Sequence, residues 1–285
     1  MYYSALLGKP VEHSISPQLF RVLGDILGVE YSHLKIEVAT KDLLQEYISA
    51  LKILNFCGIN ITLPYKLYAN NFVDELDKTA LNCGAVNTIA FKGNRTIGYN
   101  TDAIGAIRAL ESKLRKIKSD DDFCVIGSGG ASRAVVYEVY KRCKNISIIN
   151  IDRNEAKKVS HELSNGKIKY YKLNDANLVS LLGKSNFIIN TTPVGMSPES
   201  EGTIIDQGVL DKFKTLKGKY FFDAIFNPYK TKFLLDAEDK GAKVCSGLYW
   251  MIFQATAALK IWLDIKNEIK IDEDKVAKRL LKHLD

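Results

Sequence analysis

The sequence predicts an α/β protein of two domains, the second built on a doubly wound parallel sheet. Three observations lead there. Short apolar runs alternate with segments of helical spacing along most of the chain, the pattern of strand–helix crossovers. A glycine-rich turn, Gly127-Ser128-Gly129-Gly130, stands between a buried-strand run and a helical one. The 285 residues suit two domains of about 100–200 residues each.

Composition narrows the class. Apolar residues make up 46% and charged residues 26%, enough for a core of normal size. Lys and Arg number 40 against 33 Asp and Glu, a net charge of +7. They are scattered, which suits an acidic small molecule better than a nucleic acid, whose binders concentrate a basic stripe. Met1–Leu7 is short and lacks a basic flank, and no apolar run approaches the ~20 residues that span a bilayer. Neither a targeting signal nor a membrane partner is expected. Five cysteines (Cys57, Cys83, Cys124, Cys143, Cys245) are widely spaced, with no C-x-x-C. That argues against a disulfide framework and a zinc site, so no metal is expected and the compartment is a reducing cytoplasm.

Tyr2–Leu7 reads as a strand. Pro17–Leu27 has helical spacing in Leu19, Val22, Leu23, Ile26 and Leu27, with Ser16 as cap and Pro17 at N1. His33–Val38 alternates like a strand, Leu43–Leu54 is helical, and Gly58–Thr62 is a strand ended by Pro64. A helix is expected from Tyr65. Ala85–Phe91 and Arg95–Tyr99 suit a hairpin turning at Gly93-Asn94. Asp102–Leu114 reads as a helix and the charged stretch Arg115–Asp122 as a link between domains. Phe123–Gly127 is a buried strand, Ala131–Arg142 a helix, Ile146–Ile151 a strand, Asn154–Ser164 a helix and Phe187–Asn190 a strand. Tyr220–Phe226 closes this sheet, followed by a helix through Leu234–Lys240. Tyr249–Leu263 is a strongly apolar helix that need not belong to the second sheet, and Val276–Leu284 is amphipathic.

The glycine turn has the setting of a dinucleotide loop. Gly127 allows the tight turn, Gly129 and Gly130 let a backbone approach a pyrophosphate, and the helix start supplies N–H donors. A methyltransferase would use a similar loop, and a glycine turn that only packs a helix is the bland alternative. The ribose end should meet Asp152-Arg153-Asn154, after the second strand. There an acidic residue favours the free 2′-hydroxyl of NAD and an arginine the 2′-phosphate of NADP. Both stand side by side.

Several polar clusters in the first hundred residues resist explanation as packing. Ser14 and Ser16 have the alternating spacing that puts two hydroxyls on one side. Asn60 and Thr62 share a strand face, with Lys66 just beyond its end. Gly84-Ala85-Val86-Asn87-Thr88 and Asn100-Thr101-Asp102 add an amide and a carboxylate. Singly, Ser16 and Asp102 read as helix caps and Asn60 and Thr62 as ordinary strand residues.

Together these segments resemble the shikimate dehydrogenase family from Gly8 to about Gln254, in the family's order. The later pieces include Asn190-Thr191-Thr192-Pro193-Val194-Gly195-Met196, Asp223-Ala224-Ile225-Phe226-Asn227-Pro228 and Gly247 through Gln254. The resemblance implies an N-terminal α/β substrate domain (1–104, completed by 247–285) and a Rossmann-type dinucleotide-binding domain (105–246), with a C-terminal helix returning to the first. It implies reversible NADPH-dependent reduction of 3-dehydroshikimate to shikimate, in aromatic amino-acid biosynthesis, by a monomer or homodimer. Lys66 and Asp102 match the catalytic pair. Ser14 and Ser16 match the residues on the substrate carboxylate, and Asn60, Thr62, Asn87 and Gln254 those on ring hydroxyls or carboxylate. Gly127, Ser128, Gly129, Gly130 and Ala131 match the dinucleotide loop, and Arg153, between Asp152 and Asn154, the arginine over the adenosine phosphate. Thr191, Gly247 and Met251 complete the cofactor set, the last two on the nicotinamide side. Phe20-Arg21 depart from the family's His-Asn, Phe226 from a tyrosine, and Asp152-Arg153-Asn154 from Asn-Arg-Thr. The last departure keeps NAD open as cofactor and a broader, NAD-using quinate/shikimate dehydrogenase open as alternative. A non-catalytic dinucleotide-binding regulator is the alternative of another class.

Overall fold

A computed structural model describes residues 1–198 and 201–284. The chain divides into two units, Met1–Gly105 with Ile252–Asp285, and Ala106–Met251.

The first unit is a six-stranded mixed sheet with helices. In chain order it contains β1 (Tyr2–Gly8), α1 (Ser16–Leu27), β2 (Tyr31–Glu37), α2 (Leu44–Ile53), β3 (Gly58–Ile61), β4 (Glu75–Leu76), α3 (Lys78–Cys83), β5 (Thr88–Lys92) and β6 (Arg95–Tyr99), and it holds the start of α4 (Thr101–Lys113). The strand order is β2-β1-β3-β5-β6-β4. β1 runs parallel to β2 and β3, whereas β5 pairs antiparallel with β3 and β6, the hairpin turning through Gly93 at φ +59°. Ala5, Leu7, Ile59, Ile61 and Ile89 bury one face of the sheet with Leu44 and Ile48 of α2.

An aromatic cluster holds α1 to the sheet. Phe20, fully buried, stacks on His33 at 4.3 Å and on Tyr31 at 5.8 Å, and lies 5.3 Å from the Trp262 ring. The Phe20 departure is thus a packing feature, while Arg21 is exposed. Ser4 Oγ and His33 Nδ1 are 2.6 Å apart, and burial lowers the His33 pKa to about 3. The Trp262 indole donates to the Ile89 carbonyl at 3.0 Å and fills the space over Gly58, where any side chain would collide with it.

Two local expectations are corrected. The helix expected from Tyr65 is absent: a turn leads to a single 3₁₀ segment, Ala69–Phe72. Tyr65 is pinned inward, its hydroxyl donating to Val38 O at 2.7 Å, and Asn70 donates to Gly84 O at 2.9 Å. Neither anchor continues a helix. Ser16 is no cap: Ile15 occupies that position without a side-chain bond, and Ser16 is the first helical residue.

The second unit is a six-stranded, wholly parallel sheet. Its elements are β7 (Asp122–Ile126), α5 (Gly130–Arg142), β8 (Asn145–Asn150), α6 (Arg153–Ser164), β9 (Lys169–Lys172), α7 (Asp175–Lys184), β10 (Phe187–Asn190), α8 (Gln207–Leu210), β11 (Tyr220–Asp223), α9 (Lys232–Asp239) and β12 (Lys243–Cys245). The order β12-β11-β10-β7-β8-β9 makes a doubly wound sheet whose direction of progress reverses between β7 and β10. Cys124, Ile126, Ile188 and Phe221 on the central strands meet Leu178, Leu181 and Leu182 of α7, as strands covered on both faces require. Tyr220–Phe226 neither runs past Asp223 as a strand nor closes the sheet, because β12 pairs beyond it. Arg115–Asp122 is no free link but lies within this unit. Arg115 bonds both Asp121 oxygens, at 2.7 and 2.5 Å, and its guanidinium lies 4.7 Å from the ring centroids of both Phe187 and Tyr220.

The helix α10 (Gly247–Trp262) begins in the second unit and ends in the first, followed there by α11 (Glu273–Leu280). The chain therefore changes unit twice, each time inside a helix, α4 and α10. Among the described residues no helix is long and apolar enough to cross a membrane.

Candidate active site

In the first unit an ion pair marks the candidate catalytic centre. Lys66 follows the turn after β3, which is anchored by the Tyr65 side chain and by Val86 N–H donating to Lys66 O at 2.8 Å. Its ammonium donates to Asp102 Oδ2 at 2.6 Å, with the side chains 17% and 9% exposed. Asp102 sits in the first turn of α4, where the helix dipole favours a carboxylate. It does not cap that helix. Asn100 does, accepting from Ala103 N–H at 3.0 Å, which leaves the Asp102 carboxylate for Lys66. Ion pairs this buried add little to stability once desolvation is counted, so the arrangement points to chemistry rather than to the fold.

Around this pair lies a buried carboxamide and hydroxyl network. Asn60 Nδ2 donates to Asn87 O at 3.2 Å and to Thr88 Oγ1 at 3.0 Å. Asn87 Oδ1 accepts Thr101 N–H at 2.7 Å, and its Nδ2 donates to Thr101 Oγ1 at 3.0 Å and Gln254 Oε1 at 3.4 Å. Gln254 can come this close because residue 105 is glycine: a Cβ there would lie 2.8 Å from the Gln254 backbone nitrogen. Ser14 and Ser16 also pair, Oγ to Oγ at 3.0 Å, so the hydroxyls do share a side. Thr62 is half-buried past the end of β3, its methyl against Gly8. Thr88 and Thr101 were not legible as site residues; only their adjacency to Asn87 and Asp102 could have signalled them.

In the second unit the glycine turn runs from β7 into α5. Gly127 adopts φ +111°, its N–H donates to Ile149 O at 2.9 Å, and a Cβ on it would lie 2.6 Å from Thr191 Oγ1. Thr191 is held by its own bond to Ile126 O at 2.6 Å. Gly129 is the cap of α5, with no side-chain cap bond, and a Cβ on it would meet nothing within 4 Å. Ser128 and Ala131 are half-buried beside it, and Gly130 opens the helix. Exposed backbone at a helix N-terminus with open space above it fits a phosphate.

At the far end of β8, Asp152, Arg153 and Asn154 are all exposed. Asp152 caps α6, its Oδ1 accepting Asn154 N–H at 2.8 Å, and the Arg153 guanidinium lies 4.7 Å from the Tyr170 ring centroid. Gly247 N–H donates to Ile225 O at 3.0 Å, and a Cβ there would lie 2.6 Å from that oxygen. Met251 and Phe226 are half-buried.

One further cluster went unassigned in the sequence, although both of its motifs stand at strand ends. Asp223, fully buried, accepts from Thr231 Oγ1 at 2.6 Å, Ile225 N–H at 3.0 Å and Asn190 Nδ2 at 3.1 Å. Asn190 Oδ1 in turn accepts from Thr192 N–H at 3.0 Å. Burial outweighs these donors and raises the Asp223 pKa to about 6. The cluster fixes the loops leaving β10 and β11.

Comparison with known proteins adds independent findings. Residues 6–89 match the model of the shikimate dehydrogenase substrate binding domain. The chain is 38% identical over 266 residues to a shikimate dehydrogenase (NADP(+)) of Methanococcus maripaludis, covering 93% of this chain and 92% of that one. It superposes on a crystal structure of a shikimate dehydrogenase in complex with NADP+ at a TM-score of 0.88, 31% identity, and 100% and 96% coverage. A Thermus thermophilus shikimate 5-dehydrogenase in complex with NADP(H) and shikimate gives a TM-score of 0.85 at 26% identity, each chain covered fully.

Proposed function

The chain belongs to the shikimate dehydrogenase family, and we propose that it catalyses the reversible NADP-dependent interconversion of 3-dehydroshikimate and shikimate. The observation that carries this reading is the Lys66–Asp102 pair at 2.6 Å, beside the buried network of Asn60, Asn87, Thr101 and Gln254. A small polyhydroxylated acid needs such an array of fixed donors and acceptors, and a carbonyl being reduced needs one proton.

NADPH, when bound, supplies the hydride. The residues that would hold it are Gly127 through Ala131 at the pyrophosphate, Arg153 at the 2′-phosphate, and Thr191, Gly247 and Met251 nearer the nicotinamide. Lys66 hydrogen-bonds the substrate carbonyl oxygen and gives it a proton as negative charge develops there, and solvent reprotonates the amine. Asp102 accepts from the same ammonium and fixes its direction. Ser14 and Ser16 take the carboxylate; Asn60, Thr62, Asn87 and Gln254 take hydroxyls. In the oxidising direction neutral Lys66 accepts the hydroxyl proton.

The test is the initial rate by nicotinamide absorbance, oxidising shikimate and quinate, each with NADP and with NAD. Shikimate with NADP is expected to dominate. Comparable use of NAD or quinate would make the broader dehydrogenase the better reading, and no turnover with cofactor still bound would point to a regulator.

A further inference from the structure

We propose that cofactor choice is set through two positioning residues beside Arg153: Tyr170, which holds the guanidinium where a 2′-phosphate arrives, and Asp152, which serves as a helix cap and not as an acceptor for a ribose diol. This rests on reading the second unit as the NADP site.

The geometry begins with β9. Strand alternation sends Tyr171 into the core cluster and Tyr170 to the opposite face, the side on which Arg153 stands at the start of α6. The guanidinium lies over the ring at 4.7 Å. The ring holds the cation from one side, and the guanidinium N–H groups are left to donate to an acceptor such as a phosphate. An exposed arginine without such support samples many rotamers and must be ordered by the ligand.

Asp152 stands next to Arg153 with the charge that would select NAD, yet one of its two carboxylate oxygens is committed to the start of α6. Oδ1 accepts Asn154 N–H at 2.8 Å, and the backbone at φ −90°, ψ 108° is that of a helix cap. Asn150, the last residue of β8, donates to Asp152 O at 3.1 Å and fixes the turn. The acidic residue therefore faces α6.

The experiment is calorimetric binding of 2′,5′-ADP and of 5′-AMP, without substrate, to wild type, Tyr170→Phe, Tyr170→Leu and Asp152→Asn. Wild type is expected to prefer 2′,5′-ADP. Tyr170→Leu, which keeps apolar bulk but loses the ring face, should weaken 2′,5′-ADP about fivefold, the size of an exposed cation–π contact, and leave 5′-AMP unchanged. Tyr170→Phe should retain the preference. Asp152→Asn, an equally good cap, should leave 5′-AMP binding unchanged and 2′,5′-ADP binding unchanged or tighter. A Tyr170→Leu protein with undiminished preference overturns the proposal and leaves the NADP reading intact. Loss of 5′-AMP affinity in Asp152→Asn shows a diol acceptor and also overturns it. Equal wild-type affinity for the two nucleotides overturns the proposal together with the reading beneath it.

Discussion

The two units hold their candidate site residues by opposite means. In the first, Asn60, Asn87, Thr101 and Gln254 are bonded to one another, and the Lys66–Asp102 pair is mostly shielded from water. In the second, the candidate groups are backbone N–H donors at a bare helix start and exposed side chains at Asp152–Asn154. The difference follows from what each must recognise. A small ring with several hydroxyls is read atom by atom, so its partners are ordered in advance. A dinucleotide offers phosphates and a long surface, which a helix terminus and a few charges can hold.

The most direct way to break this contrast is Lys66→Ala. Turnover should fall by about 10²–10⁴, the usual contribution of a proton-transfer group, with nucleotide affinity unchanged in a titration. Retention of more than about a tenth of wild-type turnover would refute the role.

Gly127→Ala attacks the other side. A side chain at φ +111° and 2.6 Å from Thr191 Oγ1 costs roughly 1–3 kcal/mol of backbone strain and displaces the loop. NADP binding measured by fluorescence should weaken about tenfold, roughly 1.4 kcal/mol, while shikimate still protects the first unit from proteolysis. Unchanged NADP affinity would show that the turn does not carry the nucleotide.

Asn87→Ala sharpens the comparison within the first unit. It leaves the buried Thr101 N–H without its side-chain acceptor, at about 1–3 kcal/mol of stability. Denaturant titration should show that loss, and KM for shikimate should rise with KM for NADP unchanged. Equal rises in both would mean that the network supports the whole molecule rather than one ligand.

The smallest effect separates the units by pH. His33 has its pKa lowered to about 3 from 6.5, so the folded first unit favours the neutral ring. That stability is present above pH 6.5 and is lost as pH falls toward 3, about 1 kcal/mol between pH 7 and 5.5. Asp223 is raised from 3.8 to about 6, so it favours the folded second unit at low pH and loses that contribution as pH rises through 6. Native-state hydrogen exchange, corrected for intrinsic rates, should show β2 weakening and β11 strengthening over the same acidification. Strands that shift together would remove the distinction.

Much of this was readable in the chain. The β7–glycine–α5 unit stood out because a fully buried strand, a turn that requires Gly127 and a helix face leave few alternatives. The paired hydroxyls of Ser14 and Ser16 followed from spacing alone. The edge strands did not: β9 is Lys169-Tyr170-Tyr171-Lys172, and its exposed charged ends flank two tyrosines that are only half-buried. The same holds for β12, three residues with Lys243 exposed. α7 did carry a signal, Asn174 as cap with Leu178, Leu181 and Leu182 on one face. The capping of α4 by Asn100 was hidden because Asp102 is chemically as good a cap, and only the position of Lys66 decides between them.

The passage of α4 and α10 between the units has a consequence for how the protein is made. The second unit is contiguous in the chain and has all its strands once Met251 is synthesised. The first is interrupted: β1, β3 and β5 emerge early, yet Trp262, which covers Gly58 and bonds Ile89 O, comes only after the whole second unit. On the ribosome the nucleotide half can therefore close first, while the strands translated earliest keep an uncovered face until the final helices arrive.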